Sequence, residues 1–278
     1  MFNGRKLLIA TKHEKENVIA PLLEMELGVK CFVAKNFDTD VLGTFTGEVE
    51  RKDDPITTAR NKCLMAMQQH NCDLAIASEG SFGAHPSIFF VHADDEMLLF
   101  IDKKNDLEII AREFSTDTNF NGEEIKTEKQ LKDFAKQVKF PSHGLIIRKV
   151  KDDFTEIVKG ITDWENLKKT FHQFIDKYGT AFIETDMRAM YNPSRMLVIE
   201  KATEKLIAKI KSCCPQCSTA GFGITDAKKG LPCSLCGFKT RSILSYIYIC
   251  QKCSYTKEEM FPNNKKVEDP MYCDVCNP

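Results

Sequence analysis

The chain has no apolar run near the ~18–20 residues that a bilayer-spanning helix needs, so no such span is expected. It also has little net charge. Its 39 Lys and Arg oppose 40 Asp and Glu, leaving −1 with histidine neutral. Bulk charge therefore predicts neither a strong polyanion binder nor a membrane-surface binder. Only five apolar or small residues separate Met1–Lys6 from Lys12-His13-Glu14-Lys15, too few for a signal-peptide core. Internal repeats and low-complexity stretches are absent from the body of the chain, which argues against disorder, collagen and coiled coil. What is present is ordinary for a cytoplasmic globular protein of about two domains: 278 residues, 42% hydrophobic and 28% charged.

Cysteine is the exception. Nine of the 12 cysteines fall between Cys213 and Cys276. In a reducing compartment such clustering points to metal ligands before disulfides. The expected organisation is an α/β body over 1–211 and a metal-stapled module over 212–278, which is too small to be trusted to fold without a staple. Four Cys-x-x-Cys pairs occur: Cys214/Cys217, Cys233/Cys236, Cys250/Cys253 and Cys273/Cys276. The gaps between pairs are 15, 13 and 19 residues. Each pair is a tight turn that aims two sulfurs at one ion, and two such turns complete a tetrahedral thiolate site. Eight ligands make two structural zinc sites. Neighbouring pairs sharing an ion and a crossed arrangement are both open on spacing alone. Gly237, just after Cys236, relieves crowding in its turn.

The charge of this module bears on its partners. From residue 212 on there are eight Lys and Arg and six Asp and Glu. Eight thiolates and two Zn²⁺ bring the total to near −2, which disfavours phosphate-backbone binding. Phe238, Tyr246, Tyr248 and Tyr255 offer stacking faces, and Lys228, Lys229, Lys239 and Arg241 a local basic patch. A structural or protein-contact role is the expectation.

In the body, strand–helix alternation predicts a mixed sheet flanked by helices. Lys6–Thr11, Val29–Val33 and Leu74–Ala77 read as strands, Glu14–Leu27 (closed by Gly28) and Thr57–Gln69 as helices, and Asp38–Pro55 as a loop or hairpin. Ser78-Glu79-Gly80-Ser81-Phe82-Gly83 reads as a small-residue loop. An antiparallel meander over Ser87–His92, Met97–Asp102 and Leu107–Phe114 follows, with Asp94-Asp95 at a turn. Strands over Gly144–Val150, Phe154–Val158 and Ala181–Thr185, and helices over Thr127–Val138 and Asp163–Tyr178, complete the body. Asn192 caps a last helix whose first position suits Pro193.

Ligands of open α/β sheets bind beyond the C-terminal ends of parallel strands, and three segments there carry reactive groups. Thr11-Lys12-His13-Glu14-Lys15 enters a helix and suits an anion. In Ser78–Gly83, Glu79 suits Mg²⁺ or water activation, and Gly80 and Gly83 allow close backbone approach. Glu184–Arg195 carries Asp186, with Arg188 and Arg195 suited to bidentate phosphate or carboxylate recognition. In a fourth, Phe140–Gly144, His143 is an acid–base candidate.

Thr11-x-x-x-Lys15, Asp53-Asp54-Pro55-x-x-Thr58-Ala59-Arg60-Asn61-Lys62 and Ser78-Glu79-Gly80-Ser81-Phe82-Gly83, in that order, resemble the inosine-triphosphatase-like superfamily, and most the branch that hydrolyses non-standard purine triphosphates. The resemblance spans about residues 5–115. It implies that Lys15, with Lys12, binds triphosphate, that Asn61 and Lys62 line the cleft, and that Glu79 binds Mg²⁺. The reaction it implies is in-line attack of water, releasing pyrophosphate and a nucleoside monophosphate. The whole chain, with Thr185-Asp186-Met187-Arg188 and the four-knuckle tail through Cys276-Asn277-Pro278, resembles a bacterial domain family without an assigned function.

The expected function is thus a metal-dependent nucleotide phosphohydrolase. Catalysis falls to Glu79, Asp186 and Lys15, and nucleotide binding to Thr11, Lys12, Asn61, Lys62, Ser78, Gly80, Ser81, Arg188 and Arg195. The rival expectation is a non-catalytic nucleotide- or nucleic-acid-sensing protein whose zinc module contacts a partner.

Overall fold

A computed structural model describes residues 1–34, 53–85, 87–88 and 90–278. The loop or hairpin expected over 38–55 lies outside the described residues up to 52. The chain divides into two compact units, Met1–Ile207 and Ala208–Pro278.

The first unit is a mixed α/β body built on two sheets, where the sequence leads one to expect a single sheet. The elements of the first are β1 (Lys6–Ala10), α1 (Glu16–Leu27), β2 (Lys30–Val33), α2 (Pro55–His70), β3 (Leu74–Ala84), β4 (His92–Asp102) and β5 (Leu107–Ser115), with strand order β2-β1-β3-β4-β5. β1 runs parallel to β2 and β3, and β4 and β5 return antiparallel. Gly28 ends α1 in the left-handed region, at φ 67°, where its N–H reaches Glu24 O at 3.0 Å. α2 begins at Pro55 because Asp54 accepts the N–H groups of Ile56 and Thr57 at 2.9 and 3.1 Å. Its Ala59, Cys63, Ala66 and Met67 pack on Leu8, Ala75, Ala77, Met97 and Leu99.

Three local expectations fail here. Ser78–Gly83 is the second half of β3, paired residue for residue with β4 from Leu74↔Asp102 to Ala84↔His92. Asp94 and Asp95 lie inside β4 rather than at a turn, and β4 begins at His92, where the strand expected over Ser87–His92 would end. Small residues and glycine carry weak strand propensity, and eleven paired positions override it. Gly80 is small for a packing reason. A Cβ there would collide with the Glu96 carboxylate and the Arg195 guanidinium.

The second sheet uses β6 (Gly122–Ile125), β7 (Leu145–Arg148), β8 (Ile157–Ile161) and β9 (Ala181–Thr185) in the order β6-β9-β7-β8, all antiparallel. α3 (Glu128–Gln137) and α4 (Trp164–Tyr178) bury Leu131, Phe134, Leu167 and Phe171 against its Ile125, Leu145, Ile147 and Ile183. Thr127 and Gln130 form a capping box on α3, and Asp163 caps α4. α5 (Pro193–Lys211) starts as expected, with Asn192 Oδ1 accepting the Arg195 N–H at 3.0 Å.

The second unit is organised on an antiparallel sheet of β10 (Ile224–Lys229), β11 (Ile243–Ile249) and β12 (Thr256–Met260). Cys214 and Cys217 precede β10, Cys233 and Cys236 lie between β10 and β11, Cys250 and Cys253 lie between β11 and β12, and Cys273 and Cys276 follow β12. No described helix is long and apolar enough to cross a membrane.

Candidate functional site

Side chains alternate across β3, and that alternation sorts the expected site residues onto two faces. Glu79 and Ser81 share the α2 face with Met97 and Asp95 of β4. Ser78 and Gly80 share the opposite face with Glu96 and Asp94.

On the α2 face, Lys62 Nζ lies 2.5 Å from Glu79 Oε1, with Glu79 4% exposed. Beside the pair is a cavity of about 220 Å³ lined by Glu79, Gly80, Ser81, Asp95, Arg112, Met97 and Ile110, and by Asp54, Pro55 and Ile56 at the start of α2. Arg112 forks onto Asp95 through Nε and Nη2. Asn61 Nδ2 reaches Asp53 Oδ2 at 3.4 Å at the same end of α2. The cavity combines apolar walls with three carboxylates, those of Glu79, Asp95 and Asp54, and the Arg112 guanidinium, which suits a small ligand that is partly apolar and partly polar.

On the opposite face sits a buried charged cluster. Lys15 Nζ donates to Ser78 Oγ at 3.0 Å and lies 3.5 Å from Glu96 Oε2. Thr11 Oγ1 is 3.4 Å from Ser78 Oγ. Arg195 Nε donates to Glu96 Oε1 at 2.6 Å, its Nη1 donates to the Met187 carbonyl, and its guanidinium lies over Phe82 at 5.1 Å. Burial lowers the Lys15 pKa to about 8, opposed by the Glu96 charge. Burial alone would raise the Glu96 pKa, but Arg195 and Lys15 outweigh it and hold the carboxyl below its usual range. Asp94, 1% exposed, is pushed up to about 8 by burial and by Glu96, and its Oδ1 has no hydrogen-bond partner among the described residues.

The three segments named from sequence therefore converge in part. The β1–α1 link, β3 and α5 meet around Glu96, but Lys15 and Arg195 are taken up there, across the sheet from Glu79. Arg195 is a buried α5 residue, 2% exposed, rather than a loop arginine facing a ligand. Lys12 lies half-buried in the β1–α1 link. Asp186 is fully buried at the end of β9, accepting the Gly160 N–H at 3.0 Å and the Arg188 side chain through Nε at 3.0 Å and Nη2 at 2.6 Å. Arg188 lies over Tyr191 at 4.6 Å. This pair closes the second sheet and is not among the residues lining the cavity.

Glu96, Asp94, Asp95 and Arg112 escaped the sequence reading. The available signal was period-two spacing. Asp94 and Glu96 continue the buried series Leu98 and Phe100, so acids on that face imply buried cations facing them.

The second unit carries a different centre. Cys214, Cys217, Cys250 and Cys253 bring their sulfurs within 4.8 Å of one another, as do Cys233, Cys236, Cys273 and Cys276. Cross-pair Sγ–Sγ distances are 3.6–3.8 Å. A tetrahedron with Zn–S near 2.3 Å has edges of about 3.8 Å, so each group can hold a zinc ion. The pairing is the crossed one, first knuckle with third and second with fourth. β11 runs between the second and third knuckles and so carries them to different sites. Ser218, Gly237 and Ser254, each just after the second cysteine of its turn, are left-handed at φ 57°, 72° and 58°, and donate back to Cys214, Cys233 and Cys250 carbonyls at 2.8–3.0 Å. Among the described residues these are the two groups that gather three or more His, Cys, Asp or Glu ligands. The body's described carboxylates do not form such a set.

One comparison with known proteins decides the family. The model of DUF6671, a domain of unknown function, matches residues 62–278. The chain belongs to the DUF6671 family. The match takes in Lys62, Glu79, Glu96, Arg195 and all eight zinc-site cysteines, and starts after the Thr11–Lys15 segment. No curated protein matches the chain.

Proposed function

We propose that this DUF6671 protein is a nucleotide phosphohydrolase whose site is the cavity beside Lys62 and Glu79. The observation that carries the reading is the buried Lys62–Glu79 pair, whose Glu79 lines a cavity of about 220 Å³ with mixed apolar and charged walls. Ile56, Met97 and Ile110 present apolar surface to a base. Lys62 meets the phosphates, and as it turns to them it frees the Glu79 carboxylate to take a proton from the attacking water. Water attacks the phosphorus in line, pyrophosphate leaves, and a nucleoside monophosphate remains. The described carboxylates do not fit a resident Mg²⁺ site, because Glu79 is paired with Lys62 and Asp95 with Arg112. Magnesium enters in this reading as part of the substrate, as the metal–triphosphate complex.

That prior commitment of Glu79 to Lys62 equally supports a second reading, a nucleotide-binding protein without turnover. In both readings the zinc module contacts a protein partner. Leu235, Phe238, Met271 and Tyr272, from two knuckles of one zinc site, are exposed apolar side chains suited to that contact.

A panel of standard and deaminated nucleoside triphosphates with Mg²⁺ and Mn²⁺, read by pyrophosphate release and by calorimetric binding, tests both. The phosphohydrolase reading expects release that Glu79→Gln abolishes at a temperature where the variant remains folded, its thermal transition lowered by the loss of one partner of a buried pair. Binding without release moves the assignment to the second reading, and neither binding nor release overturns both.

A further inference from the structure

His143 lies between α3 and β7 with its ring 5% exposed. Its nitrogens face two serines. Nδ1 is 3.0 Å from Ser142 Oγ, and Nε2 is 2.9 Å from Ser194 Oγ. The hydrogen bonds fix the tautomer. The one hydroxyl hydrogen of Ser142 goes to the Lys139 carbonyl at 2.6 Å, so Ser142 Oγ accepts from Nδ1–H. The neutral ring then carries its lone pair on Nε2, which accepts the Ser194 hydroxyl hydrogen. Burial, then the charge of Lys139, lowers the His143 pKa and keeps the ring neutral at pH 7. Lys139 Nζ lies 3.5 Å from Ser194 Oγ, which is half-buried at the second position of the 19-residue α5.

We propose that Ser194, His143 and Ser142 act as nucleophile, general base and orienting group toward small carboxylic esters, a second activity separate from the Lys62–Glu79 cavity. Ser194 Oγ bonds to the carbonyl carbon as its proton passes to His143 Nε2. The tetrahedral carbon expels the alkoxide, which takes that proton and leaves as the alcohol. Water then attacks the acyl carbon, giving its proton to Nε2. Ser194 Oγ departs and recovers the proton, and the carboxylic acid is released. The Lys139 ammonium and the positive end of α5 stabilise the oxyanion beside Oγ. The set has the defining relation of an activated serine, a nucleophile on a base that a third group orients.

A histidine that merely capped α5 would make the same contact with the Ser194 N–H, 3.3 Å from Nε2. Covalent labelling separates the two roles. The full-length, zinc-replete protein is treated with a fluorophosphonate, and the adduct is located by peptide mass spectrometry. The expected adduct is on Ser194. Its rate of formation rises with pH through a midpoint below the ordinary histidine value of about 6.5. His143→Ala slows it roughly 10²–10⁴-fold, and Ser142→Ala slows it by a smaller factor. Hydrolysis of p-nitrophenyl acetate follows the same order. Absence of a Ser194 adduct on the folded parent overturns the proposal, as does an unchanged labelling rate in either variant. The parent and Ser142→Ala suffice if His143→Ala does not fold.

Discussion

In the second unit, charge is gathered by residues three positions apart, on turns whose backbone closes on itself. In the body it is gathered by residues as distant as Glu96 and Arg195, 99 positions apart in sequence. The zinc sites can form only if two Cys-x-x-Cys turns meet, yet each turn is complete alone. The Glu96 cluster is complete only with β4, the β1–α1 link and α5 all in place. One unit gathers sulfurs that can hold an added ion, and the other neutralises buried side chains against one another.

Removing the ion is the largest perturbation. Structural zinc bound by thiolates carries about 10–16 kcal/mol per site at pH 7, far beyond what a small sheet stabilises alone. Treatment with a strong chelator should abolish hydrogen-exchange protection in β10, β11 and β12 and leave it in β3 and β4, whose packing uses no metal. Replacing Cys250 by Ser should release one zinc per chain. Two zinc ions retained after that substitution would break the assignment of Cys250 to a site.

This contrast also explains what was legible in the sequence. The eight cysteines that gather into the two groups were readable because a two-residue gap repeats. Which turns pair was not readable, since the sheet order decides it and the edge strands β10 and β12 are mostly polar. In the body the buried strands, the Asn192 cap and the Gly28 stop were local and visible. Ser78–Gly83 was misread because its strand character comes from β4 alone. Glu79 and Lys62 were both named, but as a ligand of magnesium and a cleft residue. Their direct pairing is a tertiary fact. Lys15 and Arg195 were named as cations without their partner Glu96, so their burial could not be foreseen.

The next perturbation breaks mutual neutralisation. Glu96→Gln leaves Lys15 and Arg195 buried with one carboxylate fewer, and removing one partner of a buried pair costs about 3–5 kcal/mol. The expected result is a lowered urea midpoint with an unchanged slope, in the body's transition alone. A loss under about 1 kcal/mol, the size of an exposed pair, would show that water reaches this cluster.

Asp94 sharpens the same point through pH. Around it are the charges of Glu96, Arg195 and Lys15, and that of Asp95 next to it in the chain. Its folded pKa, raised to about 8, lies above the ordinary aspartate value. Between roughly pH 4 and pH 8 the unfolded carboxyl is ionised while the folded one keeps its proton, so the folded state binds more protons and stability falls as pH rises. The slope from this group is at most about 1.4 kcal/mol per pH unit. Its contribution is full below about pH 4 and gone above about pH 8. Asp94→Asn should flatten the profile between pH 5 and pH 7.5 and be more stable than the parent at pH 8. Lys15, lowered to about 8, titrates at the alkaline edge and leaves the lower window clear. His143, held below its ordinary value, adds an opposite slope in the same window, so a parent whose stability does not fall relative to that of Asp94→Asn across it would refute the assignment.

The smallest effect separates the two units by their glycines. Gly237 sits at φ 72° with open space where a Cβ would project. Ser218 and Ser254 already occupy the equivalent left-handed position in two other knuckles. Gly237→Ala should therefore cost only the left-handed backbone term, about 1–2 kcal/mol, and Gly237→Asn less, with two zinc ions still bound. Gly80→Ala meets the Glu96 carboxylate and Arg195 and has no such latitude. A Gly237→Ala variant that loses zinc would mean that this turn tolerates less than its two serine counterparts, and that the knuckles are not interchangeable frames for their cysteines.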